Sequence, residues 1–241
     1  MKIANSTVIV TGANRGIGLA FTRELLARGA RKVYAGARDP STIKQPGVTA
    51  VRLDVTKPEQ VAAAAALAGD VTLVINNAGV GQPGGFLAAD SEEVARRQLE
   101  TNFFGMLRMS KAFAPVLAAN GGGALINVLS IVSWVNSGAL AAYAASKSAA
   151  WSLTNSLRLE LEPRGIQVVG VHCGFVDTDL TAGMQMAKIG PADVALATIA
   201  GIVAGQREVL VDDISRQIRA ELAQDLIVQY PELNAVASPQ P

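Results

Sequence analysis

Tyr143 and Lys147, four positions apart in Tyr143-Ala144-Ala145-Ser146-Lys147, are the first pair in this chain whose types and spacing could do chemistry. On a helix that spacing stacks the two side chains on one face, a turn apart. A phenol ordinarily titrates at about pH 10. An ammonium beside it favours the phenolate and makes the group a usable acid or base near neutrality. The same pair, alone, also serves merely to bridge a core to solvent. A second stretch, Thr11-Gly12-Ala13-Asn14-Arg15-Gly16-Ile17-Gly18, could cradle a pyrophosphate. Its glycines permit a tight turn and close backbone approach, and a following helix offers free N–H groups and a positive dipole end. A tight turn that binds nothing has the same composition. A third candidate, Asn102, lies in Thr101-Asn102-Phe103-Phe104-Gly105, where a buried amide is costly without partners. It reads as a functional group, a satisfied core amide or a kink.

The elements that must position these groups follow from periodicity. Short β-branched runs predict strands at residues 7–10, 32–37, 49–53, 71–75, 124–129, 167–171 and 208–211. Helical spacing predicts helices over 17–27, from Pro58 to Leu67, over 91–117, from Ala141 towards Pro163, from Pro191 onward and over 214–229. Strands alternating with helices imply an α/β fold, a Rossmann-like doubly wound parallel sheet of about seven strands. The chain reads as one domain, 1–241, with a short loop at 179–190 and a proline-bearing tail at 231–241 that frays. In such a sheet Asn76, Ser130 and Cys173 end strands on the edge that carries the glycine turn, and the helix with Tyr143 and Lys147 opens near it. That convergence, more than any single residue, argues for catalysis.

Composition narrows the classes. The chain of 241 residues is 50% hydrophobic and only 5% aromatic, which suits buried parallel strands under alanine-rich helices. A net charge of +1 without basic stripes gives no sign of nucleic-acid binding. Cys173 is the only cysteine and His172 the only histidine, so neither a disulfide nor a zinc site is expected. The start of the chain lacks a signal peptide's apolar core, and no apolar run reaches the length of a membrane span. A cytoplasmic protein is expected.

The motifs together resemble the short-chain dehydrogenase/reductase family, in its ordinary branch of about 250 residues. The glycine turn is similar to the family's T-G-x-x-x-G-x-G, and Asn76-Asn77-Ala78-Gly79 to its N-N-A-G. Ser130 stands thirteen residues before Tyr143, and with Asn102 these residues match the family's Asn-Ser-Tyr-Lys tetrad. The resemblance implies NADPH/NADP+ as cofactor and hydride transfer to a ketone or aldehyde, reversible as alcohol oxidation. Tyr143 would protonate the substrate oxygen while Ser130 holds it. Lys147 would contact the nicotinamide ribose and depress the Tyr143 pKa, and Asn102 would hold a water that replenishes protons. Cofactor contacts are implied at Gly12, Asn14, Arg15, Gly16, Ile17 and Gly18, and at Asp54 and Val55 after the third strand. Further contacts are implied at Asn77, Ala78 and Gly79, and at Gly174, Val176 and Thr178, besides Tyr143 and Lys147. Arg15 and Arg38 converging near the ribose would favour a 2′-phosphate, although Asp39 could instead hold a ribose hydroxyl. Asp54 has a plainer reading as a cap.

Two departures from the family pattern bear on specificity. Cys173-Gly174 stands where the family usually has Pro-Gly. Loss of proline frees φ and restores an N–H; Cys173 reads as a small turn residue and not a nucleophile. The loop after Thr178 is short, which predicts an open pocket capped by Leu180, Met184 and Met186. Gln82, Trp134, Val135 and Phe175 are the other expected liners, beside Ser130 and Tyr143. Such a lining suggests an apolar carbonyl or alcohol substrate. Asp212-Asp213 is followed by a helix in place of the family's Asp-Gly-Gly ending, which weakens the case for a tetramer and leaves a homodimer through the helices around Asn102 and Tyr143. The rival readings are a 3-oxoacyl-thioester reductase acting on a carrier protein, and a non-catalytic NADP(H)-binding sensor.

Overall fold

The computed structural model describes residues 1–224 and 229–230. Its strands are β1 (Thr7–Thr11), β2 (Lys32–Ala37), β3 (Thr49–Arg52), β4 (Leu73–Asn76), β5 (Gly123–Val128), β6 (Ile166–His172) and β7 (Glu208–Leu210). They form one sheet in the order β3-β2-β1-β4-β5-β6-β7, every neighbouring pair parallel. The expected doubly wound α/β sheet is the observed one. Chain direction across the sheet reverses between β1 and β4, and the crevice outside their carboxyl ends is where such sheets bind ligands.

Successive strand residues feed two cores. Val8 and Val10 point into one layer with Phe21 and Leu25 of α1 (Gly16–Ala27) and Val194, Ile199 and Ile202 of α6 (Pro191–Val203). Ile9 points into the other, with Val61 of α2 (Pro58–Leu67), Met109 and Phe113 of α4 (Met106–Ala119), and Leu157 of α5 (Ala141–Leu161). Both sheet faces are thereby covered, which is why β1 reads as an unbroken buried run.

The helix expected over 91–117 is interrupted. The chain forms α3 (Ser91–Leu99), one wide π turn (Glu100–Gly105) and then α4. The extra residue accommodates Asn102, whose side chain is 1% exposed and bonded outside its own helix. Gly105 closes that turn against α2's approach: a Cβ there would fall 2.6 Å from Val55 Cγ2. Such π turns often mark functional sites. The last described helix, α7, runs Asp213–Glu221. Of the predicted 214–229 helix, residues 225–228 lie outside the described residues, as does the tail at 231–241.

Candidate active site

The carboxyl ends of β1 and β4 are tied by side chains. Thr11 Oγ1 accepts the backbone N–H groups of Asn77 and Ala78, each at 2.9 Å. Asn77 Nδ2 donates to the carbonyl of Thr11 at 2.9 Å. One position back, Asn76 Nδ2 donates to Asn127 Oδ1, and Asn127 Nδ2 to Thr154 Oγ1, both at 2.9 Å. This ladder joins β4, β5 and α5, and so fixes the edge from which the site is built.

The glycine turn between β1 and α1 has the shape a pyrophosphate needs. Gly12 adopts φ +65°, and a Cβ on Gly18 would fall 2.1 Å from the Gly12 carbonyl oxygen. Only glycine allows so close a helix-to-turn approach. The N-terminus of α1 has no side-chain cap and no acidic residue in its first turn. Its free N–H groups and dipole end are thus left for an anion. A Cβ on Gly16 would meet the Thr178 methyl at 3.2 Å, so the loop after β6 closes the far side of the cradle. These features fit a dinucleotide.

The four tetrad positions meet across this edge. Asn102 uses both ends of its amide: Oδ1 accepts the Val80 N–H at 2.9 Å, and Nδ2 donates to the Val80 carbonyl at 2.8 Å and to Ser146 Oγ at 2.9 Å. Ser146 Oγ in turn donates to the Tyr143 carbonyl at 2.7 Å. The side chain therefore fastens the loop after β4 to α5; both Nδ2 hydrogens are used, while Oδ1 keeps one lone pair. Lys147 is 4% exposed and its Nζ donates to the Val128 carbonyl at 2.8 Å. A Cβ on Gly79 would lie 3.8 Å from that Nζ and 3.3 Å from Asn102 Oδ1. Gly79 thus brings the end of β4 against both.

Ser130 opens a short 3-10 turn, Ile131–Ser133, whose Val132 N–H it caps at 3.3 Å. Its carbonyl lies 3.2 Å from His172 Nδ1. Because a carbonyl only accepts, the ring carries its proton on Nδ1. Burial pushes His172 down to about 4, so it is neutral at physiological pH. Its Nε2 has no hydrogen-bond partner among the described residues.

The protonation states differ from the expectation at one point. Burial raises the Tyr143 phenol above its ordinary value, the neighbouring Cys173 thiol adds to this, and a hydrogen bond with Ser130 works the other way. Lys147 contributes nothing resolved to that balance, with its Nζ drawn to Val128 and 5.7 Å from the Tyr143 ring centroid. The protein's own groups thus keep the phenol protonated instead of depressing it. Burial pushes Lys147 down to about 8 and pushes Cys173 up to about 12. The second shift, with 4% exposure, makes Cys173 an inert turn residue.

A cleft joins these groups, lined on its polar side by Asn77, Ser130, Tyr143, Lys147 and Thr178. Its apolar wall comes from Ile131, Val132, Leu140, Phe175, Leu180 and Met184. Phe175 and Met184 are where the sequence placed them. Gln82, Trp134 and Val135 are not liners. Gln82 Oε1 instead accepts from Arg97, and its backbone N–H donates to Gln98 Oε1 at 3.3 Å. Trp134 follows the 3-10 turn with its indole on the opposite side, stacked on His172 at 3.7 Å and 17°. Met186 is 53% exposed, outside the cleft. Leu140, Ile131 and Val132 were missed although they flank Tyr143 and Ser130; adjacency to the candidate residues was the available signal.

The outlying cofactor positions are resolved unevenly. Arg15 pairs with Asp179. Both members are mostly exposed, at 65% and 71%. Asp39 Oδ1 accepts the Ser41 N–H at 3.0 Å, capping a short turn. Asp54 Oδ1 holds the Thr56 N–H and hydroxyl, at 2.9 and 2.8 Å, bracing the turn that approaches α2, with Lys57 the residue that precedes the helix.

Comparisons with known proteins agree with this geometry. The family model described as short chain dehydrogenase matches residues 6–188. A short-chain dehydrogenase of Penicillium crustosum is 36% identical over 213 residues, covering 84% of this chain and 76% of the relative. The 3-oxoacyl-[acyl-carrier-protein] reductase FabG of Vibrio cholerae is 31% identical over 215 residues, 86% of this chain and 85% of that protein. Among solved structures, a short chain dehydrogenase from Burkholderia cenocepacia in complex with NADP is 40% identical with a TM-score of 0.93, covering 99% of this chain and 100% of the other.

Proposed function

The chain belongs to the short-chain dehydrogenase family, and on that premise we propose that it is an NADP(H)-dependent reductase of ketones or aldehydes, reversible as an alcohol dehydrogenase. The observation that carries this reading is the meeting of Ser130, Tyr143 and Lys147 at an apolar cleft beside an uncapped helix N-terminus. Bound NADPH would supply the hydride. The chain's residues do the rest. Gly12, Gly16 and Gly18 shape the turn, and the α1 N–H groups hold the pyrophosphate. Ser130 donates to the substrate oxygen as it gains charge, oriented by the 3-10 turn it caps and by His172 on its carbonyl. Tyr143, its phenol raised from the ordinary value by burial, gives that oxygen its proton. Lys147 offers its two remaining N–H donors towards the cleft. Asn102, whose Oδ1 keeps one lone pair, would hold the water that replenishes protons.

The pocket's apolar wall supports a substrate with an apolar body; among the described residues no helix is long and apolar enough to cross a membrane. We assign the chain as a single catalytic domain, placed in the cytoplasm and paired as a homodimer. The deciding experiment is NADPH oxidation across aryl ketones, aliphatic ketones, aldehydes and acetoacetyl thioesters. Turnover of simple ketones or aldehydes is expected. Preference for the thioester would favour the second reading, a 3-oxoacyl reductase, which the Vibrio cholerae relative supports. Tight NADPH binding with no turnover anywhere would overturn both in favour of a sensor.

Cofactor choice rests on Arg15 and Arg38. Asp39 has one oxygen on the Ser41 N–H and keeps the other for a ribose hydroxyl, while Arg15, mostly exposed in its pair with Asp179, is free to turn towards a 2′-phosphate. Replacing both arginines by alanine should lower the NADPH-over-NADH ratio of kcat/KM by about 10- to 100-fold, the worth of one or two charge-assisted bonds. An unchanged ratio would remove them from phosphate recognition.

A further inference from the structure

The turn after β6 has lost the proline that would stiffen it, yet it forms a wall of the cleft through Cys173, Gly174 and Phe175. Two bonds hold it. The Cys173 carbonyl accepts the Ile131 N–H at 3.1 Å. The Gly174 N–H donates to Asp212 Oδ2 at 2.8 Å. The other carboxylate oxygen, Asp212 Oδ1, accepts the Ser215 N–H at 3.0 Å and caps α7. Ser215, fully buried, returns the contact by donating its hydroxyl to the Asp212 carbonyl at 2.8 Å. One carboxylate thus spans a helix start and a turn 38 residues away in sequence. The contact is tight, since a Cβ on Gly174 would fall 2.7 Å from Ile214 Cγ2 and 3.0 Å from Asp212 Oδ2. One turn further along α7, Ile218 packs on the cluster of Ile131, Val132, Ala144 and Tyr143. The arm that begins at Asp212 therefore reaches both walls of the cleft.

We propose that Asp212 is a positioning residue for the reaction, its carboxylate locking the Cys173-Gly174 turn to α7 in place of the missing proline. The role rests on the oxidoreductase reading of the cleft. It makes the end of the described chain part of the site's framework, and it gives the Asp212-Asp213 pair a task. The partly buried Gly174 N–H needs an acceptor, and a carboxylate serves two donors at once.

The test separates the bridge from the helix cap. Asp212→Ser keeps a good N-cap for Ser215 but falls short of Gly174, and Asp212→Asn also caps well while offering only one accepting oxygen. Each variant is compared with wild type for thermal midpoint, NADPH affinity, kcat and KM, and for alkylation of Cys173 by iodoacetamide under native conditions. Cys173 is the chain's only cysteine and reports the turn directly. Because the cap survives, the midpoint should stay close to wild type. Cys173 labelling should accelerate about tenfold or more, as expected when a hydrogen bond to a charged acceptor is lost. The kcat should fall about five- to tenfold with KM for the carbonyl changed less, the mark of lost positioning. Unmoved labelling with an active wild type would overturn the bridge. Faster labelling with unchanged kcat would overturn the positioning role, and a large drop in midpoint matching the kinetic loss would reduce Asp212 to a cap. A wild type inert across the carbonyl panel would overturn the functional reading, and this role with it, whatever the labelling.

Discussion

Tyr143→Phe should lower turnover of any carbonyl substrate by about a thousandfold, within the range general acids contribute, while NADPH affinity changes by no more than about threefold. The asymmetry follows from what the substitution removes. The ring keeps its packing against Ile131, Val132 and Ala144, so the cleft keeps its wall. Only the hydroxyl goes, and with it the proton that the substrate oxygen needs as hydride arrives. Neither neighbour is equipped to replace it. Cys173 is pushed up to about 12 and held in a turn, and the His172 Nδ1–H donates a hydrogen bond to the Ser130 carbonyl. Ser130 would still donate a hydrogen bond, so a residual rate above background is expected from oxyanion stabilisation alone. Rapid-reaction measurement of NADPH binding beside steady-state turnover checks both halves. Retention of more than about a tenth of wild-type kcat would remove the phenol from the mechanism.

The glycine turn, the doubly wound parallel sheet and the gathering of Ser130, Tyr143 and Lys147 were legible because each depends on local pattern and on the rules of parallel sheets. What was not legible depends on partners remote in sequence. Trp134 sits four residues from Ser130 and was expected in the pocket; its direction is decided by stacking on His172, at the end of β6. Gln82 follows the N-N-A-G stretch but is drawn away by Arg97 and Gln98 of α3. The spacing of Tyr143 and Lys147 was read as an ammonium lowering a phenol, whereas the Val128 carbonyl holds that ammonium and burial sets the phenol's direction. Asn102 was left between a functional group, a core amide and a kink. It is a buried, hydrogen-bonded amide inside a π turn, so the structural alternatives coincide. The Asp212-x-x-Ser215 pattern could have announced a helix start, but nothing local points from it to Gly174.

Lys147→Met should cost about a hundredfold or more in kcat/KM, comparable to loss of a preorganised electrostatic group, and should also erase one limb of the pH profile. Methionine keeps the length of the buried stem and removes only the charge and its donors. In the wild type, burial penalises the charged ammonium and pushes Lys147 down to about 8. The sign follows: the side chain is charged below that value and neutral above it. Carbonyl reduction, which draws on the ammonium, should therefore be full on the acid side and fall as pH rises through about 8. Other buried groups of the site do not titrate there. His172 is pushed down to about 4, Cys173 is pushed up to about 12, and the Tyr143 phenol is raised from its ordinary value. In the methionine variant the low residual rate should be flat across that interval, and NADPH affinity should lose its dependence on pH there too. An alkaline limb that survives in the variant would assign the titration to another group and detach Lys147 from the chemistry, leaving the bond to the Val128 carbonyl as its whole task.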